Sequence, residues 1–150
     1  MLKKLSILGM MLLSTSTFAN NSILYSCPVK NGDRVQVILS KGVPTYQYFS
    51  QGKAQLKLPR SSPANNVKYA NFSYSGGGAE YYRFINGDYS YVVYSGIGRG
   101  WQRDEVMVFK GLKKISTLKC KSAFTSNTSW SARDSIYDES ASHLSDIFSE

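Results

Sequence analysis

The stretch from Tyr94 to Arg103, YSGIGRGWQR, gathers residue types with which proteins bind anions and other proteins. Its glycines could expose backbone N–H groups to a phosphate. Arg99, Trp101 and Arg103 offer the cationic and aromatic contacts that dominate protein interfaces. A phosphate loop, however, needs G-x-G-x-x-G spacing and a helix N-terminus that faces the anion. This segment has neither, because strand-like sequence flanks it, and we therefore predict a recognition loop over 95–103.

A second glycine-rich segment lies twenty residues earlier and repeats the pattern Y-S-G-x-G. In a meander, strands ending at Tyr74 and Tyr94 run in the same direction, so both glycine segments leave one rim about 10 Å apart. We call residues 75–78 and 95–103 the rim loops and expect them to form one binding surface. Alternatively, the glycines only supply the positive φ of tight turns, and Trp101 fills the end of a barrel. The predicted binding residues are Ser75, Gly76, Gly77, Gly78, Tyr81, Ser95, Arg99, Trp101 and Arg103.

Residues suited to catalysis or metal binding are few. The only histidine, His143, lies near the C-terminus. Asp104 and Glu105 are consecutive, so in a strand they would point to opposite faces. The sequence before the tail contains no Cys/His or Ser/His/Asp set and no cluster of metal-ligand composition. A site centred on Glu80 is the one catalytic alternative, and we otherwise expect no enzyme, no metal and no cofactor.

Short alternating segments separated by turn residues occupy the chain from residue 23 to residue 120. The segment RVQVILS, residues 34–40, alternates with period two, and the Asn31-Gly32 pair before it is a hairpin signal. Two prolines within residues 59–66 mark the main irregular connection. The spacing predicts an all-β fold, a single antiparallel meander that forms a barrel or sandwich of eight to nine strands.

The hairpin over residues 79–94 can be aligned residue by residue. If Asn86-Gly87 is a two-residue turn, Ile85 pairs with Asp88, and the side chains divide between two faces. The better core face carries Tyr82, Phe84, Tyr89, Tyr91 and Val93. The opposite face carries Tyr81, Arg83, Ile85, Asp88, Ser90, Val92 and Tyr94.

Residues 1–19 have the three parts of a secretory signal peptide. Lys3 and Lys4 precede a short apolar run, and Thr17-Phe18-Ala19 ends in a small residue suited to cleavage. An uncleaved anchor helix is the alternative, but the apolar run is shorter than a membrane span requires. We expect a cleaved signal of bacterial type, a periplasmic mature chain and no membrane span.

Cys27 and Cys120 are the only cysteines, and they lie near the two ends of the strand-rich region. In an oxidising compartment we expect them to form a disulfide that closes a β domain over residues 20–122. Two free thiols with a redox role are the alternative, although the chain has no C-x-x-C motif.

Charge divides the mature chain into a basic body and an acidic tail. Residues 20–122 contain fifteen Lys/Arg and five Asp/Glu, a net charge of +10, and residues 123–150 contain one Arg and five acids, a net charge of −4. The tail could pair with the body, the body could bind an anionic partner, or the lysines could only keep the surface soluble. The tail is serine-rich, and its apolar spacing predicts an amphipathic helix over 134–148 or a disordered segment.

The order of these features resembles the periplasmic and membrane-bound inhibitors of C-type lysozyme. The matching pieces are Tyr25-Ser26-Cys27, residues 77–81 (GGAEY), the 95–103 loop and Cys120. The resemblance implies a small exported β-barrel that inserts a motif serine and a loop lysine into the enzyme cleft. Gly77 stands at the serine position and residues 95–98 replace the lysine-bearing loop, so Gly78 and Tyr81 are the residues that carry over.

These observations predict a periplasmic binding protein that blocks a partner protein, as an inhibitor or immunity protein does, through the glycine-rich rim loops. The partner would be an envelope enzyme or a toxin. The alternative is a binder of anionic envelope glycans such as lipopolysaccharide or peptidoglycan, because ten tyrosines before the tail could stack on sugar rings. The same tyrosines could stack on bases, but export and a disulfide argue against nucleic acid.

Overall fold

The computed structural model describes residues 22–61 and 66–121, together with the backbone of residues 137–138. The predicted signal peptide, residues 1–19, and most of the tail lie outside these ranges. The described ranges form nine strands of six to ten residues: β1 (Ser22–Pro28), β2 (Arg34–Ser40), β3 (Val43–Ser50), β4 (Lys53–Leu58), β5 (Val67–Tyr74), β6 (Gly77–Asn86), β7 (Tyr89–Gly98), β8 (Trp101–Lys110) and β9 (Lys113–Lys119). A two-residue strand, β10 (Tyr137–Asp138), follows.

The strands form two separate sheets. One contains β1–β4 and the other β5–β9, each in chain order and antiparallel throughout, and β10 pairs in parallel with the free edge of β5. The predicted all-β meander of eight to nine strands is confirmed, in the form of a sandwich, because the two sheets do not join into a closed barrel. The helix predicted over 134–148 is wrong at residues 137–138, where the backbone pairs with a strand distant in sequence. The rest of that prediction lies outside the described residues.

The 79–94 hairpin differs from its predicted alignment by two residues. Ile85 pairs with Ser90, and Asn86 pairs with Tyr89, so the two-residue turn is Gly87-Asp88 with Gly87 at φ +59°. Glycine takes the first turn position rather than the second. Side chains on a strand alternate with period two, so a shift of two leaves every residue on its predicted face.

The inner faces of the two sheets enclose the main core. Tyr82, Phe84 and Val93 of the five-stranded sheet are fully buried against the four-stranded sheet. Tyr46 packs on Phe84 with ring centroids 5.6 Å apart, and Tyr25 meets Tyr82 edge-on at 5.5 Å. Such aromatic pairs contribute about 0.5–1.5 kcal/mol beyond the burial of their area. The predicted core face of the hairpin is confirmed except for Tyr89, which stays 37% exposed at the strand end.

The opposite face of the five-stranded sheet is also buried. Tyr81, Val92 and Tyr94 are at most 1% exposed and belong to a second apolar cluster. The sequence favoured the other face as the core face, and the structure shows that both faces carry buried residues. We call this surface the outer face, because the four-stranded sheet packs on the other side.

Cys27 and Cys120 form the predicted disulfide, with Cα atoms 5.0 Å apart. Cys27 lies in β1 of the four-stranded sheet, and Cys120 directly follows β9 of the five-stranded sheet. The next residue, Lys121, donates its backbone N–H to the carbonyl of Pro28 at 2.8 Å. The bond therefore joins the two sheets at the first and last strands of the domain.

Removal of the disulfide is expected to destabilise the sandwich strongly. The bond closes a loop across 93 residues, and loss of such a bond costs about 2–5 kcal/mol of unfolding free energy. The Cys27→Ala/Cys120→Ala variant should unfold at a lower urea concentration than the oxidised protein, and at about the same concentration as the reduced wild type. An unchanged urea midpoint would contradict this role.

Candidate functional site

The two rim loops lie at the same end of the five-stranded sheet, as predicted. Each is a two-residue turn, Ser75-Gly76 between β5 and β6 and Arg99-Gly100 between β7 and β8. The rest of 75–78 and 95–103 belongs to strands, so the loops are shorter than predicted.

The two turns touch through Arg99. A Cβ atom built on Gly76 would lie 2.8 Å from Arg99 Nε, so the arginine side chain packs directly over this glycine. Gly76 also has φ +86°, a backbone conformation that favours glycine. The arginine therefore bridges the gap between the turns, and the rim is one continuous surface.

An exposed aromatic pair crosses the same rim. Tyr74 ends β5 and Trp101 begins β8, three strand spacings apart or about 14 Å along the sheet. Their ring centroids nevertheless lie 6.2 Å apart, with ring planes inclined by 25°. Tyr74 is 43% exposed and Trp101 is 40% exposed. The alternative in which Trp101 fills the end of a barrel is therefore wrong.

Two glycines leave the space in which these rings meet. Gly77 and Gly98 lie on β6 and β7, between the strands that carry the aromatic residues. A Cβ atom on Gly98 would collide with the indole of Trp101, and one on Gly77 would collide with the backbone at residues 97–98. We call Tyr74, Trp101 and Arg99, with the glycines beneath them, the rim platform.

Three predicted site residues make contacts inside the fold and do not belong to the platform. Tyr81 is fully buried in the outer-face cluster. The Ser95 hydroxyl donates to Asp104 Oδ1 at 2.8 Å on the inner face. Arg103 donates through Nε and Nη2 to Glu105 Oε1, both at 2.9 Å, and its guanidinium lies 4.8 Å from the ring centroid of Tyr94. These three side chains have internal contacts that hold the sheet.

Arg103 and Glu105 form a largely desolvated ion pair. The Glu105 side chain is 7% exposed, and that of Arg103 is 30% exposed. Burial also raises the pKa of the neighbouring Tyr94 phenol, and the positive charge of Arg103 opposes that shift. The pair thus places Arg103 against a carboxyl group that is buried in the outer face, where a carboxylate without a cationic partner would be costly.

A shallow cavity of about 330 Å³ lies on the inner face at the rim end. Its lining is mostly polar and small: Asn71, Phe72, Ser73, Gly78, Ala79, Glu80, Ser95, Gly96 and Ile97. Ile97 is 60% exposed beside it, so an apolar side chain also faces solvent on this side of the rim.

Glu80, the centre of the catalytic alternative, is bound by tyrosines. Tyr25 donates a short hydrogen bond to Oε1, and Tyr69 donates to Oε2 at 2.9 Å. Asn71 Nδ2 in turn donates to the Tyr69 hydroxyl at 3.1 Å. Because Tyr25 belongs to β1, this carboxylate connects the two sheets.

Within residues 22–61 and 66–121 no group of three His, Cys, Asp or Glu side chains could hold a metal ion. None of the helices in the described part of the chain is long and apolar enough to cross a membrane.

Sequence reasoning missed Tyr74 as a platform residue. The residue opens the first Y-S-G-x-G repeat, and its partner in the second repeat, Tyr94, is buried. Tyr74 could have been found only by aligning β5–β8. That alignment places Tyr74 and Trp101 on either side of two strands that carry glycine at this level, Gly77 and Gly98.

Comparison with protein families, curated proteins and solved structures found no match to this chain. The resemblance to lysozyme inhibitors stays a prediction that rests on the motif residues.

Replacement of Arg103 should destabilise the fold rather than a binding surface. The Arg103→Ala variant leaves the buried Glu105 carboxylate without its cationic partner, which we expect to cost about 1–3 kcal/mol of unfolding free energy. Arg103→Ala/Glu105→Gln should recover part of that loss in urea denaturation. If Arg103→Ala unfolds at the wild-type midpoint, the pair has no structural role.

Stability should fall at alkaline pH because of Tyr25. Burial first, and then the charge of Glu80, raise the pKa of this phenol above the value of 10.0 expected for an unfolded chain. The protonated Tyr25 phenol therefore contributes fully to the free energy of unfolding below pH 10, and this contribution is lost as the pH rises above 10. One such proton lowers the free energy of unfolding by about 1.4 kcal/mol for each pH unit above 10.

The check is urea denaturation between neutral pH and pH 11.5. Tyr25→Phe should show a shallower loss of stability above pH 10 than the wild type, whereas Tyr89→Phe, at an exposed tyrosine, should keep the wild-type slope. Equal slopes in all three proteins would remove Tyr25 as the cause.

Proposed function

We propose that the chain is an exported, periplasmic binding module that blocks a partner protein through the rim platform, as an inhibitor or immunity protein does. The observation that carries this proposal is the exposed Tyr74–Trp101 stack over Gly77 and Gly98. Export is supported by the signal-like residues 1–19 and by the disulfide between Cys27 and Cys120.

The platform has the composition of an interface centre. Tryptophan, tyrosine and arginine are the residues enriched among those whose truncation costs most binding energy. Here one of each lies within a single contact surface, since Tyr74 stacks on Trp101 and Arg99 packs over the adjacent turn. Ile97 adds an exposed apolar side chain at the other side of the rim.

The platform is also preorganised. Each turn has only two residues, and the stacked rings are held at the ends of ten-residue or eight-residue strands. A rigid surface loses little conformational entropy on binding, so more of the contact energy appears as affinity. This favours a protein that captures one partner tightly.

Charge indicates what kind of partner fits. The body, residues 20–122, has a net charge of +10, and Arg99 places a cation within the platform. A partner with an acidic surface would be attracted and steered toward the rim. By the same physics a basic enzyme such as a lysozyme would be repelled, so the family resemblance supports the fold more than that target.

The test is capture of envelope proteins by the immobilised mature chain, followed by identification and an activity or toxicity assay of the captured protein. Trp101→Ala and Tyr74→Ala should each weaken the interaction about 30-fold, because central aromatic residues contribute about 2 kcal/mol or more. Arg99→Ala should slow association and reduce its salt dependence. Arg103 is left unchanged, because its loss affects folding.

Leu112→Ala and Ile115→Ala are the matched controls. Both residues are exposed apolar side chains, 63% and 50% exposed, at or next to β9 and away from the rim. Capture that survives all three platform variants, or that falls equally in the controls, would refute the platform assignment.

Anionic envelope glycans form the alternative ligand class, because stacked exposed aromatic rings also suit sugar rings. Binding to lipopolysaccharide or peptidoglycan fragments that declines steeply with salt, with no captured protein, would favour this alternative over the proposal.

A further inference from the structure

The outer face of the five-stranded sheet is buried although it faces away from the four-stranded sheet. Seven residues form its apolar cluster, and the side chain of each is at most 6% exposed: Ala70, Ala79, Tyr81, Val92, Tyr94, Met107 and Phe109. These residues lie at alternate positions of β5–β8, so they form one continuous surface across four strands.

None of the described strands covers this surface. The buried side chains of β1–β4 belong to the inner core, with Tyr82, Phe84 and Val93 of the opposite face. The outer cluster contains residues of β5–β8 only. Side chains at the centre of a bare sheet face would be open to solvent, so burial of Val92 and Met107 requires another layer.

The path of the chain shows which segment supplies that layer. β9 forms one edge of the five-stranded sheet, and β10 pairs with Lys68 and Tyr69 of β5 at the other edge. Because β5–β9 alternate in direction and β10 is parallel to β5, β10 is also parallel to β9. Parallel strands of one sheet need a crossover connection of about a dozen or more residues.

The connection has the right length and one available route. β9 and β10 are separated by five strand spacings, about 24 Å. Residues 122–136 could reach about 50 Å when extended. Their start is held by the Cys120 disulfide and by Lys121 on Pro28, and their end is held by β10. The inner face is occupied by the four-stranded sheet, which leaves the outer face.

We propose that residues 122–136 cross the outer face and place the aromatic side chains of Phe124 and Trp130 on the apolar cluster. This segment contains one arginine and one aspartate and is otherwise uncharged, which suits contact with an apolar surface. The tail then forms a third layer of the domain, intramolecular and independent of what the rim platform binds.

Tryptophan fluorescence tests this arrangement, since Trp101 and Trp130 are the only tryptophans. In the mature Trp101→Phe variant, all tryptophan fluorescence comes from Trp130. Its emission should be shifted to shorter wavelength, and acrylamide quenching should be several-fold weaker than in the same variant unfolded in urea. Quenching equal to that of the unfolded chain would overturn the proposal.

A second measurement does not depend on that variant. Trp130→Ala in the otherwise unchanged mature chain should lower the urea midpoint and increase binding of an apolar dye, whereas the neighbouring Ser129→Ala should change neither. A Trp130→Ala variant that matches Ser129→Ala would overturn the proposal.

The protein concentration is varied in both measurements to identify a second copy as the occupant. If Trp130 is shielded from acrylamide while the protein has the mass of a monomer, the result supports the proposal that residues 122–136 cross the outer face. Shielding that appears only together with a dimer mass would assign the outer face to another molecule and overturn it.

Discussion

The connection between the two sheets is the constraint on which the rest of the domain depends. Among the residues that the structure describes, no hydrogen-bonded ladder joins the four-stranded and five-stranded sheets, so these are held by packing, by the Cys27–Cys120 bond and by the Glu80 carboxylate. Glu80 accepts from Tyr25 of one sheet and Tyr69 of the other. Both ties involve β1, which fixes that strand over the five-stranded sheet. The long strands β6–β8 can then project beyond the sandwich core as a rim.

The rim separates two kinds of residue by face. On the inner side, small and polar side chains line a shallow cavity, where Glu80 accepts hydrogen bonds and Ser95 donates one to Asp104. On the outer side, Tyr74 and Trp101 stack over glycines next to the Arg103–Glu105 pair. The charged residues nearest the platform have partners inside the fold, whereas Arg99 lies at its surface. The polar cavity and the aromatic platform therefore lie on opposite sides of the rim.

Local sequence patterns predicted the fold well because they depend on near neighbours. Alternation of apolar and polar residues identified the strands. The predicted faces of the 79–94 hairpin are correct although its turn lies at Gly87-Asp88, because a two-residue change in pairing preserves the side-chain period. The disulfide followed from compartment and cysteine number. Each of these inferences needed only segments adjacent in the chain or residues of one rare type.

The errors arose where distant segments meet. Burial of Tyr81 and Val92 on the outer face depends on a layer that the hairpin alone does not reveal. Tyr137–Asp138 adopts a strand because β5 offers an open edge, which overrides a helical pattern in the tail. Arg103 was predicted to bind a partner because arginine is common at interfaces, but it forms an ion pair with Glu105, two residues later on the same face. Only the alignment of four strands brings Tyr74 to Trp101.

The glycines beneath the platform also determine which positions can diverge in evolution. Gly77 and Gly98 cannot accept a side chain without displacing the backbone or the indole, so the shape of the platform depends on two positions that carry no side chain. Ser75 and Arg99, in contrast, occupy two-residue turns outside the paired positions of the strands. Substitutions at these two turn positions would therefore change the exposed surface of the rim while the aromatic pair stays in place.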